Sequence, residues 1–94
     1  MSEVSIRRSH QLGLDELRSR VERIAAKLED KFGVTCSWEG DVARLRHAEF
    51  NGEVRLGESE LCIDARLGFM LSMARGKVES ELQRILDREL GPAT

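Results

Sequence analysis

Leu61–Met73, LCIDARLGFMLSM, is the stretch on which the fold turns. Leu61, Ile63, Ala65 and Leu67 alternate with Cys62, Asp64 and Arg66, the period-2 signature of a strand with one buried face. After Gly68 the alternation gives way to Phe69, Met70, Leu71 and Met73. No other segment is so apolar without a break. It reads as the last strand of a sheet feeding directly into the final helix. That helix carries Val78, Leu82, Ile85, Leu86 and Leu90 on one face, with Glu79 and Glu81 in the expected first turn and Gly91-Pro92 as its stop. Its start lies either near Phe69 or at Gly76.

Working back from Leu61, a four-residue loop, Gly57 to Glu60, closes a hairpin that pairs Leu56 with Leu61, Val54 with Ile63, Gly52 with Ala65 and Phe50 with Leu67. Every pair is apolar or small, so all face the core. Gly52 marks a point where a helix can approach the sheet closely. The preceding turn has two candidates. Asn51-Gly52 is the stronger local signal, but it would bury Glu49 and expose Phe50. Ala48-Glu49 pairs His47 with Phe50 and Ala43 with Val54, both inward. A one-residue slip would turn every side chain over, so burial selects Ala48-Glu49. Before it, Gly40-Asp41 suits a hairpin turn with glycine first. It pairs Trp38 with Ala43 and Cys36 with Leu45 inward, and Ser37 with Arg44 and Thr35 with Arg46 outward.

Leu14, Leu17, Val21, Ile24, Ala25, Leu28 and Phe32 follow helical spacing almost without a fault. Asp15 and Glu16 suit the positive end of that helix, Glu16 and Arg20 can pair one turn apart, and Gly33 can supply a left-handed stop. Val4 and Ile6 mark a short first strand at a sheet edge, where Arg7 and Arg8 would suit solvent. The expected fold is α+β, in the order β-α-β-β-β-β-α, with an antiparallel sheet and two helices packed on one face. Residues 1–94 form a single domain.

The chain has 94 residues, 40% of them hydrophobic and 34% charged, ordinary values for a globular protein. Fifteen basic and 17 acidic residues give a net charge of −2, which argues against strong nonspecific binding to polyanions. No apolar run is long enough to span a membrane, and MSEVSIRRSH has no apolar core for a signal peptide. The expected location is the cytoplasm, where two cysteines fit as free thiols. Parity places Cys36 and Cys62 on opposite faces, which disfavours a disulfide between them.

No catalytic constellation stands out. Ser9 and His10 are adjacent on a strand and point to opposite faces, so they make no dyad. His10 reads as a connecting residue and His47 as a hydrogen-bonded residue at the margin of the core. There is no CxxC or zinc-type spacing and no glycine-rich phosphate motif; no cofactor or metal is expected. Carboxylates are numerous, but none occupies an evidently apolar setting. Two surfaces remain as candidates. Phe69, Met70, Leu71 and Met73 present apolar groups on more than one side of a helix start, and must bury them in the core, in a homodimer, or on an apolar ligand or surface. Arg44, Arg46, Arg55 and Arg66 share the outer sheet face as a candidate anion-binding face, balanced there by Glu39, Glu53 and Asp64. The helix–strands–helix order is shared with double-stranded-RNA-binding domains, but those have three strands and a lysine cluster, against four strands with only Arg75 and Lys77 here.

The order and spacing of several short pieces resemble a family. Arg8-Ser9-His10 with Leu12-Gly13-Leu14, then Phe32-Gly33, Trp38-Glu39-Gly40-Asp41, and Leu67-Gly68-Phe69 with Leu71 and Gly76 are similar to small bacterial polyhydroxyalkanoic acid system proteins. The resemblance runs from Ile6 to about Leu90. Val78 departs from it, standing near where a proline would open the last helix. The resemblance implies a setting beside polyester-granule genes and brings no catalytic residue with it. The reading it favours is a non-catalytic accessory protein of polyhydroxyalkanoate metabolism, binding a granule surface, a granule protein or an acyl ligand. The alternatives are an enzyme or carrier for hydroxyacyl-CoA or hydroxyacyl chains and, less favoured, a nucleic-acid-binding module using the arginine face. A phasin would be mostly helical, whereas here a sheet consumes the apolar faces.

Overall fold

The computed structural model describes residues 2–91. The chain runs β1 (Ser2–Ser9), α1 (Leu14–Phe32), β2 (Thr35–Glu39), β3 (Val42–His47), β4 (Phe50–Leu56), β5 (Glu60–Leu67), α2 (Phe69–Ser72) and α3 (Arg75–Leu90). This is the expected α+β order, with the last helical segment divided in two. The five strands form one sheet in the order β1-β5-β4-β3-β2, every neighbouring pair antiparallel. β1 therefore lies at an edge, as its short apolar alternation predicts, and β2 lies at the other.

The registers follow burial. His47 pairs with Phe50, Ala43 with Val54 and Arg44 with Glu53, so the β3–β4 turn falls at Ala48-Glu49. The stronger turn signal, Asn51-Gly52, loses because the alternative would expose Phe50, which is buried here. Trp38 pairs with Ala43 across the Gly40-Asp41 turn, where Gly40 takes φ 62°. In the β4–β5 hairpin Leu56 pairs with Leu61 and Phe50 with Leu67. Gly57 closes this hairpin because a β-carbon there would stand 2.8 Å from the Glu60 carbonyl oxygen. Gly52 faces a side chain and not a helix: the Phe50 ring, two residues back on the same face, lies 3.0 Å from where its β-carbon would be.

The inward residues of all five strands meet the apolar stripes of α1 and α3 in one core. Leu17, Val21, Ile24, Ala25 and Leu28 of α1 are buried, as are Leu82, Ile85 and Leu86 of α3. Leu14 and Phe32, the ends of the α1 stripe, are exposed. Gly33 ends α1 with φ 68°, its N–H donating to the Glu29 carbonyl. Truncating a fully buried residue such as Leu17 or Leu86 to alanine costs about 2–5 kcal/mol.

α3 starts earlier than its acidic residues indicate. Arg75, Gly76 and Lys77 make up its first turn, and Glu79 and Glu81 fall in the second. The Val78 N–H donates to the Ala74 carbonyl at 3.0 Å, a bond that a proline there would lack. At the other end Gly91 takes φ 87°; the expected Pro92 stop lies outside the described residues.

Candidate functional site

The apolar run after β5 is organised by a residue far from it in sequence. The Gly68 N–H donates to the Glu49 carbonyl at 2.9 Å. The Glu49 carboxylate then reaches across Gly68 and accepts the Met70 N–H at 2.8 Å. A β-carbon on Gly68 would stand 2.7–2.8 Å from that carboxylate, so glycine leaves the room the approach needs. α2 has no capping side chain of its own; Glu49, from the β3–β4 turn, supplies one. Ser72 Oγ donates back to the Leu67 carbonyl at 3.2 Å, and the Ala74 N–H to the Leu71 carbonyl at 3.0 Å. A single helical turn is thus fixed in place.

That turn divides the four candidate apolar residues. Leu71 points down and packs against the core. Phe69, Met70 and Met73 point away from it and are 75%, 70% and 80% exposed. Scattered exposed apolar residues are ordinary on a protein surface; three large ones on one short, capped turn form a patch.

Beneath α2 the core is incomplete. A cavity of about 290 Å³ opens at this end of the sheet. Leu28 and Phe32 of α1, Val34, and Phe50 of β4 form one wall, and Leu71, Ala74, Val78 and Leu82 form the other. His47, Glu49, Lys77 and Glu81 complete the lining. Phe32, His47 and Lys77 are the exposed members of that lining. Its pairing with the buried Phe50 puts His47 on the inward face as expected, but at the end of β3 it is exposed and not in the core. Its Nδ1 accepts the Glu49 N–H at 3.2 Å, which leaves the ring proton of neutral His47 on Nε2.

His10 is a clip. Its Nδ1 accepts the Leu12 N–H at 3.1 Å, and its Nε2–H donates to the Gly57 carbonyl at 2.8 Å. Both ring nitrogens hold the β1–α1 connection against the β4–β5 turn.

Two buried charges stand out that charge patterning alone passes over. Arg8, expected at an exposed edge, is only 7% exposed. It follows Val4 and Ile6 on the inward face. Its guanidinium donates to Asp87 Oδ1 and Gln83 Oε1, both at 2.6 Å, and reaches the Gly91 carbonyl at 3.4 Å. It ties the edge strand to the end of α3. Glu89, also 7% exposed, lies on the apolar face of α3. Lys27 donates to its carboxylate at 2.8 Å, Arg23 lies 3.7 Å away, and Arg20 donates to its backbone carbonyl. The Lys27 hydrogen bond holds the Glu89 carboxyl below the usual carboxylate range, against a smaller opposing effect of burial. Both sites were legible in the spacing: Glu89 follows Leu82 by seven and Ile85 by four, and Arg20, Arg23 and Lys27 make the matching stripe on α1.

The four arginines of the anion-binding candidate do share the outer sheet face, but acids interleave them. Arg44 lies 3.2 Å from Glu39, and Arg55 lies 3.9 Å from both Glu53 and Asp64. Arg46 and Arg66 flank Asn51 in a cross-strand row and bond to no other described side chain. Alternating signs of this kind leave little net field over the face. Arg18 stacks on the Trp38 ring, 4.2 Å from its centroid, at the β2 edge.

Cys36 and Cys62 are free thiols, and burial pushes the Cys36 thiol up from its ordinary value. Among the described residues no group of three His, Cys, Asp or Glu side chains could hold a metal ion, and no helix is long and apolar enough to cross a membrane. Compared with known proteins, the chain matches one family model over residues 4–90, described as putative polyhydroxyalkanoic acid system protein. Neither a curated protein nor a solved structure matches it.

Proposed function

The chain belongs to the polyhydroxyalkanoic acid system protein family, and we propose that it is a non-catalytic cytoplasmic accessory protein that attaches to the polyester granule through the outer side of α2. The observation that carries this reading is the exposure of Phe69, Met70 and Met73 on one fixed turn. A granule presents a water-excluding surface without fixed shape, and methionine adapts to irregular apolar partners. Each of these side chains contributes roughly 1.5–3 kcal/mol on full burial. Because Glu49 and Ser72 already hold α2, little ordering cost offsets that gain. The non-catalytic part of the reading is supported by His10 and Glu89, which serve the fold: His10 has both ring nitrogens committed, and Glu89 is bound by Lys27.

The test is co-sedimentation of the purified chain with isolated granules, native and stripped of protein. The wild type is expected to pellet with stripped granules. A Phe69→Ser/Met70→Ser/Met73→Ser variant, whose three positions are exposed and whose urea midpoint should not fall, is expected to stay in the supernatant. Pelleting with native granules alone would replace the surface by a protein partner. Equal pelleting of the variant would remove α2 from the interaction.

A further inference from the structure

The two edges of the sheet differ in their protection. β1 is guarded: Arg8 turns a charge inward, Glu3 and Arg7 stand along the strand, and the Arg75 Nε–H donates to the Glu3 carbonyl at 2.9 Å. β2 has no such cover, and Glu39 is its only charged residue.

The alternation of the ladder shows which groups of β2 are open. The Leu56 N–H donates to the Asp41 carbonyl at 2.9 Å. By alternation Ala43 and Leu45 also turn their backbone groups toward β4, and Val42, Arg44 and Arg46 turn theirs toward β2. Their partners Glu39, Ser37 and Thr35 are thereby satisfied. Cys36 and Trp38 stand opposite Leu45 and Ala43 in the non-bonded pairs. Their N–H and C=O groups point out of the sheet, and no other described residue bonds to them.

A strand that docks here must match open groups on residues two apart. A second copy of β2, laid antiparallel with Ser37 opposite Ser37, does so. Cys36 of each copy then meets Trp38 of the other in a hydrogen-bonded pair, and every open group of the edge is used. Both are half-buried, so the pairing covers their inward side chains as well. The exposed Thr35 meets Glu39, which opposes no like charges.

The charges of α1 fit the same axis. Arg18 stacks on Trp38 at one end of β2. Glu22 and Glu29 lie toward Cys36 at the other end, where their charge acts on its thiol. Spacings of four and seven put all three on one side of α1. Arg18 reaches Glu22 only at 3.7 Å, and the Glu29 carboxylate bonds to no described residue. A two-fold rotation through Ser37 turns the Arg18 end of each copy toward the Glu29 end of the other. We propose that two copies of the chain join β2 to β2 about this axis, forming one continuous sheet with five strands from each copy. The granule reading uses α2 and this interface uses β2, so either can stand without the other.

The experiment is sedimentation velocity of the full chain over a range of concentrations, with disulfide trapping at the axis. The wild type is expected to pass from monomer to dimer as concentration rises. In a Cys36→Ala/Cys62→Ser background, Ser37→Cys is expected to give a disulfide-linked dimer under mild oxidation, because facing residues of a non-bonded antiparallel pair bring their β-carbons within reach. Thr35→Cys, which would face Glu39, is expected to give little. Ser37→Lys, at an exposed position, sets two like charges face to face and should weaken the dimer roughly fivefold; mixing it with Ser37→Glu should restore association. The Phe69→Ser/Met70→Ser/Met73→Ser variant should dimerise like the wild type, and Ser37→Lys should still pellet with stripped granules. The proposal is overturned by a wild type that stays monomeric at every concentration, by unchanged association of Ser37→Lys, by trapping at Thr35→Cys as efficient as at Ser37→Cys, or by loss of the dimer in the triple serine variant.

Discussion

Replacing Arg8 with methionine should destabilise the protein far more than a substitution at a sheet edge ordinarily does. Methionine keeps much of the buried stem and loses the guanidinium. Lost with it are two 2.6 Å charge-assisted bonds, to Asp87 and Gln83, each contributing about 1.5–3 kcal/mol. Asp87 is half exposed and recovers water when its partner goes, which removes most of its share. Gln83, partly buried, recovers less. The net expectation is a loss of about 2–3 kcal/mol, or roughly 8–24 °C in Tm for a domain of this size. Urea unfolding of the wild type and Arg8→Met at pH 7 checks it, with the slope required to stay constant. The companion Asp87→Ala should cost about 1 kcal/mol on its own and almost nothing in the Arg8→Met background. A loss under about 0.5 kcal/mol in Arg8→Met would refute the claim that this residue anchors β1 to α3. Additive costs for the two variants would refute the pairing with Asp87.

Glu89 makes stability depend on pH in a definite direction. Its folded carboxyl is held below the usual range, so on acidification the unfolded chain takes up the proton first; the contribution is complete at neutral pH and is lost as pH falls from the usual carboxylate range through the folded value. Glu89→Gln should cost roughly 1–3 kcal/mol at pH 7, and its urea midpoint should fall less than that of the wild type between pH 6 and 3; parallel curves would count against the assignment. At Gly68 the backbone is at φ −70°, open to any residue, and the three atoms nearest an added β-carbon all belong to the Glu49 carboxylate. In a Glu49→Ala background Gly68→Ala should stabilise by about 0.4–1 kcal/mol; in the wild type, displacing the cap should cancel that gain, a coupling of about 1 kcal/mol. A coupling near zero in a denaturation cycle would mean that Glu49 does not cap α2.

The fold was readable because alternation and helical spacing report on a single question, which side of an element is apolar. Leu56/Leu61, Val54/Ile63 and Phe50/Leu67 settle the β4–β5 register with no knowledge of the helices. The same rule was available for Arg8 and was overridden by its charge. An edge strand with two arginines invites a solvent reading, yet Val4, Ile6 and Arg8 share one face, and the pleat does not exempt a charge from its own periodicity. What the strand pattern could not show is that Asp87 and Gln83, on the far helix, would meet the guanidinium. The residues that carry the family resemblance turn out to do similar work: Arg8 anchors an edge, His10 clips a turn, and Gly68 makes room for Glu49. A family signature made of such residues specifies a fold and leaves the chemistry of its surface open.

The candidate site was only half legible, for a reason that lies in α2. Four apolar residues in a row of five admit no periodicity longer than one helical turn, so sequence could not tell which would be covered. That depends on how the segment joins α3, which sets out from Ala74 with Arg75, Gly76 and Lys77. Helical spacing carried back from Val78 and Leu82 puts Leu71 on their stripe and Phe69 and Met73 on the far side, and the structure keeps that division although the helix is interrupted at Met73-Ala74. The exposed patch and the wall of the cavity are therefore opposite sides of one short turn. The same argument makes Glu49 a residue on which both depend, since its carboxylate holds that turn in place. Loss of that cap should loosen the outer patch and the inner lining together, while Phe69→Ser touches the outer patch alone.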